Sequence, residues 1–132
     1  MKRTFAAYPL FIKDPYFSIW IKNEELVGGE PMFWVGDSEK PMRGYIVADG
    51  EEYTFLGKGE KKLEQQYIKT EGCITECFFT GESFDLKLEF VFPLSPEHLD
   101  LTACPVCYLK YAVTKKKPLN KAAIRFEIDE AI

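Results

Sequence analysis

The segment 84–92 alternates strictly between large apolar side chains and polar or charged ones. Its apolar positions are Phe84, Leu86, Leu88, Phe90 and Phe92. Because successive residues of a strand point to opposite faces of a sheet, a period of two predicts an antiparallel strand with one face in a core. Segment 122–128 repeats the pattern with Ala122, Ile124, Phe126 and Ile128. We predict that both segments share one core between two antiparallel sheets.

Turn signals divide the rest of the chain into short segments. Asp49-Gly50 separates two apolar runs and predicts a tight hairpin, because such a turn needs positive φ at its centre. Segment 108–113 is apolar on both faces apart from Lys110 and predicts a central strand. Only Ser95–Leu101 is compatible with a turn of helix, with Ser95 as its cap. About nine strands at this spacing predict an all-β fold, an antiparallel β-sandwich. Residues 1–132 would form one such domain or an incomplete portion of a larger sandwich.

Charge and hydropathy exclude two classes of partner. The net charge of −4 argues against nucleic acid, whose phosphates are neutralised by clustered Lys and Arg. The basic run 115–117 precedes Pro118 and predicts a solvated turn. No stretch reaches the roughly 18 apolar residues of a membrane helix. The apolar residues after Lys2-Arg3 are too few for an export signal, so we expect a cytoplasmic protein. An export signal removed earlier is the open alternative.

Residues capable of catalysis are scarce. His98 is the one histidine, it lies in a Pro-containing loop, and no Gly-x-Ser-x-Gly motif accompanies it. Glu127 and Asp129 share a strand face with Arg125, which is typical of a solvated exterior. We therefore predict no catalytic residue and no cofactor in this chain.

The four cysteines form two close pairs, Cys73 with Cys77 and Cys104 with Cys107. Two such pairs could build a tetrahedral zinc site. However, Cys73 and Cys77 fall in an alternating strand pattern, and free cysteine is a common core residue. We predict reduced thiols and no metal, with a zinc site as the alternative.

Several segments together resemble the N-terminal region of the glutaminase A-type proteins of fungi and bacteria. The segments are Tyr8-Pro9-Leu10, 15–20 (PYFSIW), 31–36 (PMFWVG), 44–50 (GYIVADG) with 53–57 (YTFLG), 92–96 (FPLSP), and Asp100-Leu101-Thr102 with Pro105-Val106 and Tyr108. The resemblance implies an N-terminal β-sandwich packed on a C-terminal α-helical toroid, in a protein that hydrolyses glutamine to glutamate and ammonia. No catalytic residue of that family corresponds to a position in this segment.

Two functions from different classes follow. In the first, the chain is the non-catalytic β-domain of a glutaminase-like amidohydrolase, and its partner is the C-terminal helical domain of the same protein. In the second, it is a free-standing carbohydrate- or protein-binding sandwich. A small-molecule amide or sugar would in either case meet five candidate residues: Tyr16, Trp20, Trp34, Asp37 and Arg43. Core packing is the alternative, and the favoured one, for the two tryptophans, since Trp is highly buried on average.

Overall fold

The computed structural model describes residues 5–14, 16–34 and 39–129, and within them the chain is almost entirely strand. Only five residues, Leu99–Ala103, form an α-helix (α1), and no described helix is long and apolar enough to cross a membrane. The strands are β1 (Tyr8–Ile12), β2 (Ser18–Ile21), β3 (Met32–Phe33), β4 (Met42–Ala48), β5 (Glu51–Leu56), β6 (Glu64–Glu71), β7 (Ile74–Thr80), β8 (Phe84–Val91), β9 (Tyr108–Lys115) and β10 (Ala122–Ile128).

The described strands form three antiparallel sheets where two were expected. A four-stranded sheet has the order β6-β7-β8-β9, and the two three-stranded sheets have the orders β1-β2-β3 and β10-β4-β5. Both smaller sheets pack on the inner face of the four-stranded sheet, the first through β1 and the second through Tyr53, whose ring meets Phe84 edge to face. The all-β sandwich is thereby confirmed, with one of its layers divided in two.

The core lies where the three sheets meet, and the alternation in 84–92 builds its centre. The five apolar positions of that segment are all buried, whereas Asp85, Lys87 and Glu89 lie on the outer face. Phe11 meets Phe90 edge to face, and the Thr75 hydroxyl donates to the Pro9 carbonyl oxygen at 2.6 Å. The first sheet is therefore held to the inner face by both apolar and polar contacts.

Three expectations about particular segments are wrong. Segment 108–113 is not central: β9 is an edge strand, and most of its side chains are exposed. Ile128 faces inward by register, opposite the buried Met42, yet it is 57% exposed because no described strand covers that end of β10. The helix begins after His98, not at Ser95, which does not cap it: the Ser95 backbone binds the Thr102 hydroxyl, and its carbonyl also accepts the His98 amide in a single turn.

The predicted hairpin at Asp49-Gly50 is confirmed, and it also anchors a distant segment. Both residues have positive φ, 48° and 83°. The Asp49 carboxylate accepts hydrogen bonds from the backbone amides of Asn120 and Lys121, each at 3.0 Å. The turn thereby fixes the point at which the chain enters β10.

This anchor gives a testable prediction. Asp49→Ala removes the one carboxylate oxygen that accepts both hydrogen bonds and leaves an alanine at positive φ. We expect it to cost about 1–2 kcal/mol of unfolding free energy. Asp49→Asn keeps an acceptor oxygen and tolerates positive φ, so it should cost clearly less. Urea denaturation of the two variants measures the difference, and equal losses would show that the hydrogen bonds to 120–121 are unimportant.

Candidate functional site

Of the five predicted contact residues, the structure brings only the two tryptophans together. Trp20 lies on β2 and Trp34 follows β3, and their ring centroids are 4.9 Å apart with the ring planes inclined at 49°. The Trp20 indole N–H donates to the Ser18 hydroxyl, and the Trp34 amide donates to the Ser18 carbonyl oxygen. Trp34 is 62% exposed and Trp20 half-buried, so the core-packing interpretation is wrong for Trp34.

The other predicted residues lie apart from this pair. Tyr16 is 84% exposed. It lies on a turn in which the Asp14 carboxylate accepts hydrogen bonds from the backbone amides of Tyr16 and Phe17. Arg43 lies on β4, and among the described residues neither Tyr16 nor Arg43 has a hydrogen bond or ring contact with a tryptophan. Asp37 lies outside the described residues.

Arg43 instead faces a buried acid that sequence analysis missed. Its guanidinium lies 3.5 Å from one carboxylate oxygen of Glu30, whose side chain is only 3% exposed. The second carboxylate oxygen of Glu30 is buried and has no hydrogen-bond partner among the described residues. A Gly-Gly-Glu-Pro sequence gives no sign of burial, so the signal for this pair exists only in three dimensions. The pair ties the loop before β3 to β4.

The described residues assemble no catalytic or metal-binding cluster. His98 is exposed at the start of α1, and its side chain has no hydrogen bond to a serine or a carboxylate in the described part of the chain. The four thiols are free, and the described residues contain no group of three potential metal ligands. Burial raises the pKa of the Cys77 thiol well above its ordinary value, and that of Cys107 to a lesser degree. Neither thiol is therefore poised as a thiolate nucleophile.

A concave, apolar groove indents one side of the sandwich. It lies between the edge strands β9 and β10, with residues of β1 and β2 as its floor, and its volume is about 610 Å³. Most of its lining is apolar, including Phe11, Ile19, Met42, Leu109, Phe126 and Ile128. Lys13 lies at the rim and donates to the Pro93 carbonyl oxygen at 3.0 Å, which holds the 93–101 segment beside the groove.

On each of the two edge strands that contribute to this groove, one side chain that faces inward by register is left uncovered, although only Ile128 of the two lines the groove itself. On β9, Tyr111 is paired with the fully buried Leu88 and is nevertheless 60% exposed. On β10, Ile128 is paired with Met42, which is 3% exposed. Since paired residues share a face of the sheet, the inner faces of both edge strands extend beyond the layer that should cover them. We call this surface, the groove with its two edge strands, the open side.

The outer face of the four-stranded sheet has the opposite character. A row of alternating charges crosses it: Lys69 and Lys87 bind Glu76 at 3.3 and 3.1 Å, and Glu89 links Lys87 to Lys110. The Tyr67 hydroxyl also donates to Glu76 at 2.7 Å. With its charges paired side by side, this face is a solvated exterior and is poorly suited to burial against another domain.

Comparison with known proteins confirms the resemblance drawn from the sequence. The family of a domain of unknown function, DUF4964, matches residues 3–68, which is half of the chain. Glutaminase A of Aspergillus oryzae (strain ATCC 42149 / RIB 40) is 28% identical over 113 residues. That match covers 78% of this chain but only 16% of the relative, so the chain spans about a sixth of that protein's length. No solved structure matches.

The charge row predicts a loss of stability in acid. Burial alone would raise the pKa of Glu76, but hydrogen bonds from Tyr67, Lys87 and Lys69 outweigh it and hold the pKa below its ordinary value. A lowered folded-state pKa stabilises the fold above the unfolded-state pKa of about 4.3, and that contribution is lost as the pH falls through the folded-state value.

We therefore expect Glu76→Gln to be less stable than wild type at neutral pH, with a difference that shrinks as the pH falls below about 4. Glu97→Gln, at an exposed loop position, is the matched control and should follow wild type. Thermal denaturation between pH 7 and pH 3 makes the comparison. A Glu76→Gln difference that is constant with pH would contradict the assignment.

Proposed function

Since the chain belongs to the DUF4964 family, we propose that it is the non-catalytic N-terminal β-domain of a glutaminase-like amidohydrolase. In this function the chain stabilises the part of the larger protein that carries out hydrolysis. Two things support the proposal: the match to glutaminase A over most of this chain, and the small share of that relative that the match covers. The family itself carries no assigned function.

The single observation that carries the proposal is the uncovered apolar surface on the open side. A monomeric domain rarely leaves inward-facing side chains of two edge strands in water, and a contiguous apolar patch of this kind marks an interaction site. Tyr111 and Ile128 are 60% and 57% exposed although their strand partners are buried. The open side is thus the surface by which the domain would dock on the rest of the protein.

The chemistry of the described residues supports a non-catalytic role. Amide hydrolysis requires an activated nucleophile or water and a proton donor for the leaving ammonia. The one histidine is an exposed loop residue, and the thiols of Cys77 and Cys107 have raised pKa values. The groove is lined mainly by apolar side chains, whereas glutamine needs several convergent polar groups. Hydrolysis would therefore be carried out elsewhere in the larger protein.

A sugar-binding module is the second candidate, and one observation favours it. Trp34 is 62% exposed beside Trp20, and exposed indole rings offer faces on which sugar rings can stack. In this alternative Tyr16 and Asp37 would add contacts, and Arg43 would take part only through a rearrangement that frees it from Glu30. Because the two indole planes are inclined at 49°, a ligand ring could stack flat on one indole but not on both.

The experiment is an assay of ammonia release from glutamine by three proteins. They are this chain alone, A. oryzae glutaminase A without the segment that this chain matches, and a chimera in which this chain replaces that segment. We expect hydrolysis only from the chimera and from intact glutaminase A. Turnover by this chain alone at the rate of the chimera would contradict the proposal.

A pair of matched variants of the chimera tests the open side itself. Ile128→Gln places an amide on the inward face, and Glu127→Gln places the same side chain on the outward face of the same strand. We expect Ile128→Gln to lower the chimera's stability by about 1.5–3 kcal/mol, the cost of losing one buried apolar side chain. Glu127→Gln loses only an exposed ion pair with Arg125, worth about 0–1 kcal/mol.

In this chain alone, Ile128→Gln should change stability little, because the side chain is already exposed.

A quenching of tryptophan fluorescence by soluble oligosaccharides that Trp34→Ala abolishes, together with an inactive chimera, would instead favour the sugar-binding module.

A further inference from the structure

The edges of the three sheets differ in how they are protected. Within the described residues the edge strands are β1, β3, β5, β6, β9 and β10. An edge strand presents a row of unpaired amides and carbonyls, and proteins normally prevent another strand from pairing there by shortening, bulging, covering or interrupting the edge with proline.

Four of the six edges carry such protection. β1 contains Pro9 and an irregular register between Pro9 and Phe11, and β3 is only two residues long. β5 is covered by residues 61–63, because the Thr54 amide donates to Lys61 and its carbonyl accepts from Leu63. β6 has an irregular register at 65–67, and Gln65 binds the backbone of the 24–26 loop through both ends of its amide group.

Within the described part of the chain, the edges of β9 and β10 carry none of these four features. β9 has eight residues and β10 has seven, each pairs with its neighbour in continuous register, and neither contains proline. Charged residues protect these edges only at one end: Lys110 and Arg125 lie on the outer face and are bound to Glu89 and Glu127. Lys115, paired with the buried Phe84, is the one inward-facing charge of the two strands, and it is the last residue of β9. Both edges also contribute residues to the apolar groove, as the protected edge strand β1 does through Phe11.

We propose that β9 and β10 are pairing edges, which extended segments of the larger glutaminase-like polypeptide join as additional strands to close the sandwich over the groove. This inference rests on the proposed function and specifies how the open side docks. The added segments would present apolar side chains at every second position toward Phe11, Leu109 and Phe126, and polar side chains outward. The groove would thereby become the interior of a complete sandwich.

Strand pairing explains the open side better than the other occupants do. A helix laid in the groove could cover Ile128 and Leu109, but it would bury the free amides of both edges without partners, which costs free energy for each amide. A second copy would bring one concave groove against another and leave the space between them unfilled. Glutaminase A, of which the match covers 16%, shows that a relative has ample further chain to supply such strands.

Amide hydrogen exchange tests the inference residue by residue. On an antiparallel edge strand, alternate amides bond to the neighbouring strand and the others point to solvent. In this chain alone, we therefore expect fast and slow exchange to alternate along 108–115 and 122–128. In the chimera with A. oryzae glutaminase A, we expect the alternation to be lost because the outward amides become protected.

The outcomes separate this inference from the proposed function. A chimera that releases ammonia but keeps the alternation would overturn strand pairing and leave the proposed function intact. Loss of the alternation in this chain alone, with a dimer in analytical ultracentrifugation, would overturn it in favour of a second copy. If the chimera is inactive, the same measurement on intact glutaminase A decides: alternating exchange in the strands that its matching segment forms would contradict the inference, and uniform protection would support it.

Discussion

The fold depends on one packing interaction, the burial of alternate residues of β8 beneath two smaller sheets. Phe84, Leu86, Leu88 and Phe90 are at most 2% exposed, and the two smaller sheets contact this face through different residues. Phe11 of β1 packs against Phe90, and Tyr53 of β5 packs against Phe84. The two ends of one strand therefore hold two separate sheets, which explains how a divided layer still encloses one core.

The same interaction defines where the core ends. β9 continues the four-stranded sheet past β8, and β10 continues the smaller sheet past β4, but no described strand lies between their inner faces. Leu109 and Phe126 are thus only partly buried, and Tyr111 and Ile128 are mostly exposed. The division between a closed half and an open half follows from which strands have an opposing layer.

Local patterns in the sequence were sufficient for the strands and turns. The strands in 84–92 and 122–128, and the turn at Asp49-Gly50, depend on neighbours in the chain and were predicted correctly, whereas the core position of Ile128 was not. The edge position of β9 could not be predicted, because a sequence that is apolar on both faces is compatible with a central strand and with an edge strand alike. The burial of Glu30 was missed for a different reason: its environment comes from Arg43 on a distant strand, which the neighbouring sequence does not reveal. The predicted contact set was only partly assembled: Trp20 and Trp34 meet, whereas Tyr16 and Arg43 do not join them.

The central claim is that the open side of the isolated domain exposes its inner face to water. Paramagnetic relaxation by a soluble, neutral gadolinium chelate, measured on methyl-labelled protein by nuclear magnetic resonance, reports the accessibility of each side chain directly. The account predicts strong broadening of the Ile128 methyls, intermediate broadening of Leu109 and Ile124, and almost none for Ile46 and Leu88, which are fully buried. Ile128 methyls as protected as those of Leu88 would show a sandwich already closed and would contradict the account.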